Sequence, residues 1–191
     1  MIKVYSFFMS IVIPDSGDEA KPFVERVTLA QGNIVDQEVD AIAMVVPRTL
    51  DFCGGINGAI GQAAGYDVDS FILENIYKPK AMEVYALPGG DLPAKNIFVG
   101  IMPYYRSDID RQDRDISIIV RRIMELARCM LVSRIAIPPI ASGGKVFPKK
   151  KAARLIVQGV MDRMYDGVEE VRFVCPDEKS FQAFDERLSS L

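Results

Sequence analysis

The chain has 191 residues, of which 49% are hydrophobic and 26% charged, and carries a net charge of −3. These values describe one globular domain long enough to bury a core; they exclude a disordered chain and argue against a nucleic-acid surface spread over the whole domain. Histidine is absent, and the three cysteines, Cys53, Cys129 and Cys175, stand far apart with no CxxC pair. A metal site, a disulfide framework and any Ser-His or Cys-His nucleophile are therefore not expected. Acid–base chemistry would have to come from Asp, Glu, Lys, Tyr or Cys.

The first residues, MIKVYSFFMSIVIP, carry one lysine and a short apolar stretch with no small-residue cleavage site after it. Residues 4–13 are too few to span a bilayer and read as an extra edge strand rather than a signal sequence. Cytoplasm is then the default location, with no membrane partner. Residues 14–22, PDSGDEAKP, form a polar loop, so 1–23 is set apart from a main domain over 24–191.

Within the main domain, alternation predicts a strand over 24–30 and a turn at QGNI, 31–34. Residues 40–46, DAIAMVV, have the apolar character of a strand buried on both faces, ended by Pro47. The glycine-rich stretch 50–65, LDFCGGINGAIGQAAG, follows, with Ile56, Ala59, Ile60, Ala63 and Ala64 at helical spacing. A second helix is predicted over 67–76, strands over 83–87 and 96–102, and a long helix over 113–131. Residues 134–140 read as another buried strand and 141–147 as a second glycine loop. Pro148 stands where a first-turn proline is tolerated, opening a helix over 149–165. A strand over 170–175 and a helix over 178–188 complete the chain. Strands alternating with helices, several strands lacking a polar face, indicate an α/β fold built as a three-layer α/β/α sandwich.

Both glycine loops follow a buried strand and open a helix. Glycines let a ligand approach the backbone, and the N–H groups of a helix's first turn point at negative charge. A strand turning tightly into a helix also needs glycine, so the first loop alone fits anion binding and plain turn geometry about equally. Two such loops at one sheet edge suit a diphosphate. Neither is a Walker A loop, since Lys145 is followed by Val146 and Pro139 replaces the first required glycine.

In register from about Val24 to Cys175, the chain resembles a macro domain, the ADP-ribose-binding family. The resemblance is carried by Gln31-Gly-Asn-Ile34, Val39-Asp-Ala-Ile42, Gly54-Gly-Ile-Asn-Gly-Ala-Ile60 with Ala63-Ala-Gly65, Leu92-Pro-Ala-Lys95, and the stretch from Pro138 to Pro148. It implies a mixed, mostly parallel sheet and a partner that is ADP-ribose or a related nucleotide, with ADP-ribosylated protein as an extension. No cofactor is implied. Backbone groups of Gly54, Gly55 and Ile56 would meet the diphosphate and distal ribose. Those of Ser142, Gly143, Gly144, Lys145 and Val146 would wrap the diphosphate from the other side, with Phe147 beside the distal ribose. Asn33, followed by Ile34, takes the place of the family's usual adenine-reading aspartate and would accept the 6-amino hydrogen bond without charge assistance.

The departures bear on catalysis. Pro47 stands where hydrolytic relatives carry an asparagine, and Asn57 where they carry an aspartate; an amide cannot serve as general base. Phe52 and Cys53 occupy the first half of the usual glycine run, which would narrow the cleft. Asp51 is the weak catalytic candidate, more ordinarily a solvated carboxylate beside a turn. Cys53 reads as a small apolar filler before it reads as a thiolate. Lys145 is equally a phosphate ligand and an exposed loop lysine. Lys149, Lys150 and Lys151 read as a solvated face rather than a nucleic-acid patch, although three cations at a helix start oppose its dipole and hint at a nearby anion. Tyr104, Tyr105 and Arg106 read as rim or core packing, with cleft lining as the alternative. The sequence favours a binding module. A hydrolase of ADP-ribose derivatives with non-standard residues stands as the alternative, and a degenerate fold acting as an interaction protein as the third reading.

Overall fold

The computed structural model describes residues 21–52, 54–103, 109–140 and 147–191. The expected N-terminal strand over 4–13 lies outside the described residues. So do Cys53, Tyr104, Tyr105, Arg106, and Ser142, Gly143, Gly144, Lys145 and Val146 of the second glycine loop.

A 3-10 turn, Lys21–Arg26, leads into β1 (Val27–Gln31). The predicted strand start at residue 24 is thus three residues early. Arg26 donates to the carbonyls of Asp166 at 3.1 Å and Val168 at 2.9 Å and lies over the Phe23 ring, which folds the entry instead of extending it. A second 3-10 turn, Ile34–Asp36, precedes β2 (Ala41–Pro47), α1 (Gly55–Ala64) and α2 (Tyr66–Asn75). Then come β3 (Val84–Pro88), β4 (Asn96–Met102) and α3 (Ile109–Cys129). The last elements are β5 (Arg134–Ile137), α4 (Lys149–Met161), β6 (Glu170–Cys175) and α5 (Glu178–Leu188).

Three further elements, α3, α4 and β5, differ in extent from the sequence expectation. Helix α3 begins at Ile109, ahead of the expected residue 113, and its buried apolar stripe starts at Ile116. It ends before Leu131, whose backbone is left-handed at φ 55°, while Val132 N–H reaches back to the Ala127 carbonyl at 2.9 Å. This is a Schellman-type stop without its usual glycine. Helix α4 stops at Met161, and Tyr165 turns away to donate its hydroxyl to the Val132 carbonyl at 2.5 Å. Strand β5 stops at Ile137 because Pro138 and Pro139 bring no N–H to the ladder.

The six strands lie in the order β1-β6-β5-β2-β4-β3, parallel except that β3 runs against β4. Alternate side chains of the central strands feed two cores. Ala41 and Ala43 of β2 join Phe173 of β6 under α3, α4 and α5, whereas Ile42, Met44 and Val46 join Ile60 of α1 and Ile72 of α2 on the other face. This is the three-layer sandwich that the strand and helix alternation predicts. No helix among the described residues is long and apolar enough to cross a membrane.

The amino-terminal edge of the sheet is stitched by one carboxylate. Asp40 accepts from Lys95 Nζ at 2.7 Å and from the backbone N–H groups of Ser133 and Arg134 at 3.1 and 2.9 Å. It thereby joins the starts of β2 and β5 to the loop before β4. The Lys95 hydrogen bond, helped by the two amides and opposed by burial, holds its carboxyl below the usual aspartate range. A lowered folded-state pKa means that the stabilisation is present above about pH 4, the unfolded value, and is lost as pH falls through the lowered one. Asp40→Asn keeps one acceptor and loses the ion pair, so denaturant titration at pH 7 is expected to give a loss of about 1–2 kcal/mol. The gap between variant and wild type should close as pH drops below about 4.

Candidate functional site

The site begins where the β2–β5 ladder fails. Strand β2 is paired to β4 along its whole length, from Ala41↔Asn96 to Pro47↔Met102, but to β5 only at Ala41↔Ile135 and Ile42↔Ala136. Beyond those pairs β5 runs into Pro138 and Pro139, and Ile140 N–H folds back onto the Pro138 carbonyl at 2.7 Å. The neighbouring parallel strands therefore part at their carboxyl ends, the arrangement that in open α/β sheets leaves a crevice. After β2 the chain crosses to α1 on one face; after β5 it crosses to α4 on the other. Such a reversal is where open α/β sheets take their ligands.

One wall of the crevice is the entry to α1. Gly54 (φ 73°) and Gly55 (φ 55°) both hold backbone conformations that favour glycine, and a Cβ on either would meet nothing within 4 Å among the described residues. No side chain caps this helix start and its first turn holds no acidic residue. The first-turn N–H groups of Gly55, Ile56 and Asn57 thus face an open approach with positive potential.

Asn57 fastens this turn to the sheet. Its Nδ2 donates to the Val45 carbonyl at 2.8 Å, on the stretch of β2 that β5 no longer pairs. The amide expected in place of a catalytic carboxylate is therefore engaged by the backbone. Phe52, expected to narrow the cleft, packs its Cβ and ring edge over Gly61 of α1, with Phe52 Cβ 3.0 Å from where a Gly61 Cβ would stand. Asp51 is exposed at the start of the loop.

Asn33 and Ile34 sit at the exit of β1, beside α1. Gly32 N–H donates to the Cys175 carbonyl at 2.9 Å, which ties this exit to the end of β6. Asn33 is exposed and its Oδ1 accepts from Val35 N–H at 3.5 Å; Ile34 is buried in the same cluster as Ile60, leaving its backbone as its polar face. Phe147, expected beside a ribose, has its ring 7% exposed within the α3–α4–α5 cluster, with Lys151 Nζ 5.7 Å from its centroid. Ile34 and Ile56 thus share one apolar cluster, with the turn that follows Asn33 against α1, whose entry is formed by Gly54 and Gly55.

The three lysines that open α4 each meet a carboxylate. Lys149 Nζ contacts Asp177 at 2.6 Å and Ser180 Oγ at 2.9 Å, Lys150 reaches Glu186 at 2.6 Å, and Lys151 reaches Asp113 at 2.5 Å. The anion that their placement hints at is supplied by α5 and α3. Asp177 also caps α5 by accepting from Ser180 N–H, and the Lys149 bond leads in holding its carboxyl below the usual range. Partners 28 or more residues away leave no local sequence signal. Burial pushes the Cys175 thiol up to about 12, so it offers no thiolate near neutral pH. Among the described residues no cluster of acidic or cysteine side chains could hold a metal ion.

The macro domain family model matches residues 46–156. A macro domain-containing protein of Listeria monocytogenes is 30% identical over 172 residues, covering 86% of this chain and 98% of the relative. An O-acetyl-ADP-ribose deacetylase of Salmonella typhimurium is 29% identical over 164 residues, covering 83% and 92%. Among solved structures, a macrodomain variant of Oceanobacillus iheyensis with ADPR superposes with a TM-score of 0.76 at 24% identity, covering 85% of this chain and 91% of that one. A Trypanosoma brucei macrodomain in complex with ADP gives 0.73 at 19% identity, covering 85% and 69%. The two-sided sandwich, the crevice at the strand reversal and the family match agree: this chain belongs to the macro domain family.

Proposed function

We propose that the protein binds ADP-ribose, or a nucleotide diphosphate closely related to it, in the crevice between β2 and β5, without turning it over by the family's usual residues. The observation that carries this reading is the start of α1, with two glycines at positive φ and, among the described residues, no side-chain cap and nothing within 4 Å of where their side chains would be. A diphosphate seated there accepts from Gly55 and Ile56 N–H on one side. The loop from Ser142 through Gly143, Gly144, Lys145 and Val146 supplies amides from the other. The adenine end extends towards the Asn33 turn, and the distal ribose lies past Gly54 towards Phe147.

Absence of turnover follows from the chemistry of two side chains. The Asn57 amide holds Val45 and has no basic lone pair, and Pro47 has no polar side chain with which to orient a ribose or a water. A second reading, hydrolysis of an ADP-ribose ester or of ADP-ribosylated protein, draws on the 29% identity to an O-acetyl-ADP-ribose deacetylase. Asp51 is then the carboxylate nearest the loop. Release of acetate or of free ADP-ribose under single-turnover conditions, abolished by Asp51→Asn, would select that reading.

Binding is tested by thermal unfolding with ADP-ribose, with AMP and ribose 5-phosphate as controls. Ligand at 100 times its dissociation constant adds about 2.7 kcal/mol, which for a domain of this size is a rise of roughly 5–10 °C. Gly55→Glu, which sends a carboxylate into the anion path, is expected to abolish that rise. No rise at millimolar ADP-ribose would contradict the reading and favour an interaction protein with an empty cleft. Asn33→Asp restores a charged acceptor and should tighten ADP-ribose by about 0.5–1.5 kcal/mol in calorimetry. Asn57→Asp removes the donor to Val45 and sets a carboxylate against a carbonyl, which should cost about 1–3 kcal/mol of stability in denaturant.

A further inference from the structure

The sheet face that carries α1 and α2 is apolar over β2, β4 and β3, but at the β1–β6 edge it bears Thr28, Glu170 and Arg172. These side chains form one run of hydrogen bonds towards the carboxyl edge. Thr28 Oγ1 donates to Glu170 Oε1 at 2.6 Å, and Arg172 grips the same carboxylate through Nε at 2.9 Å and Nη2 at 2.8 Å. The remaining arm, Nη1, donates to Gln37 Oε1 at 3.0 Å, and Gln37 Nε2 donates to the Asn33 carbonyl at 2.8 Å.

Two features make this more than surface decoration. Arg172 has only donors, so it fixes the sense of the Gln37 amide: the oxygen faces Arg172 and the NH2 must face Asn33. The turn it reaches is also weakly held from within. Asp36 N–H to the Asn33 carbonyl and Gln37 N–H to the Ile34 carbonyl are both 3.4 Å, and the Asn33 side-chain cap is 3.5 Å. The 2.8 Å bond from Gln37 is the shortest of these contacts.

We propose that Gln37 and Arg172 are positioning residues that hold the Asn33 turn in the geometry that meets the base of the nucleotide, so that they set the preference for an adenine-bearing ligand. This rests on the binding reading above. Neither side chain touches the ligand. Glu170, itself braced by Thr28, anchors Arg172; Arg172 orients Gln37; Gln37 holds the backbone of Asn33.

The test compares dissociation constants for ADP-ribose and for ribose 5-diphosphate, which has the phosphates and no base. Arg172→Lys keeps the charge and a bond to Glu170 but lacks the third arm that orients Gln37. Gln37→Glu keeps an acceptor for Arg172 and loses the donor to Asn33. Both variants should weaken ADP-ribose about 5- to 20-fold, the scale of one lost hydrogen bond. Arg172→Lys should leave ribose 5-diphosphate within about twofold of wild type, whereas the added charge of Gln37→Glu weakens both ligands slightly. Unchanged ADP-ribose affinity in Arg172→Lys, or an equal loss for both ligands, overturns the positioning role while the binding reading stands. A wild-type protein that binds neither ligand overturns the binding reading and this proposal with it. Should Gln37→Glu fail to fold, Arg172→Lys alone decides.

Discussion

Two prolines control this molecule. Pro138 and Pro139 cannot donate to β2, so the β2–β5 ladder closes after two residue pairs while β2 continues beside β4 to its end. The parting of the two strands is the direct result, and the glycine turn that opens α1 lies on the β2 side of it. The opposite edge is treated in the opposite way: Asp40 draws in Lys95, Ser133 and Arg134 and binds β2, β5 and the approach to β4 together. A sheet fastened at one end and parted at the other can hold a ligand without opening its core.

The same constraint explains the groups around the mouth. The β2 backbone beyond Ile42 has lost its β5 neighbour, and the side chain of Asn57 takes the Val45 carbonyl. That bond pulls the first turn of α1 against the strand and leaves its N–H groups towards the opening. Glycine at 54 and 55 serves two needs at once, the left-handed backbone of the turn and unobstructed access. Among the described residues, positive potential at the α1 wall comes from peptide dipoles, while the lysines that open α4 are paired with Asp113, Asp177 and Glu186.

Much of this was legible in the sequence. The runs 41–46 and 97–102 lack a polar face, and only strands covered by helices on both sides accept that. Buried strand, glycines and helix opening were legible at 40–65, where β2, the Gly54–Gly55 turn and α1 follow one another as expected. What was not legible depends on partners distant along the chain. Nothing near Arg26 announces the carbonyls of Asp166 and Val168 that bend the entry to β1. Nothing near Lys149 announces Asp177, and nothing near Asn33 announces Arg172, which reaches it through Gln37 across more than a hundred residues. Asn57 was legible as a missing base but not as a brace, because its acceptor is a backbone carbonyl. The order of the outer strands also escaped the periodicity, which reports burial and not neighbours.

The proposed binding rests on backbone amides where β2 and β5 part holding the diphosphate of ADP-ribose. It is tested most directly by following amide resonances in an isotope-labelled sample during titration with ADP-ribose. Saturable shifts concentrated at Gly54, Gly55, Ile56 and Asn33 are expected, with α5 and the β3 edge unmoved. Shifts that cluster on another surface, or none at millimolar ligand, would contradict it.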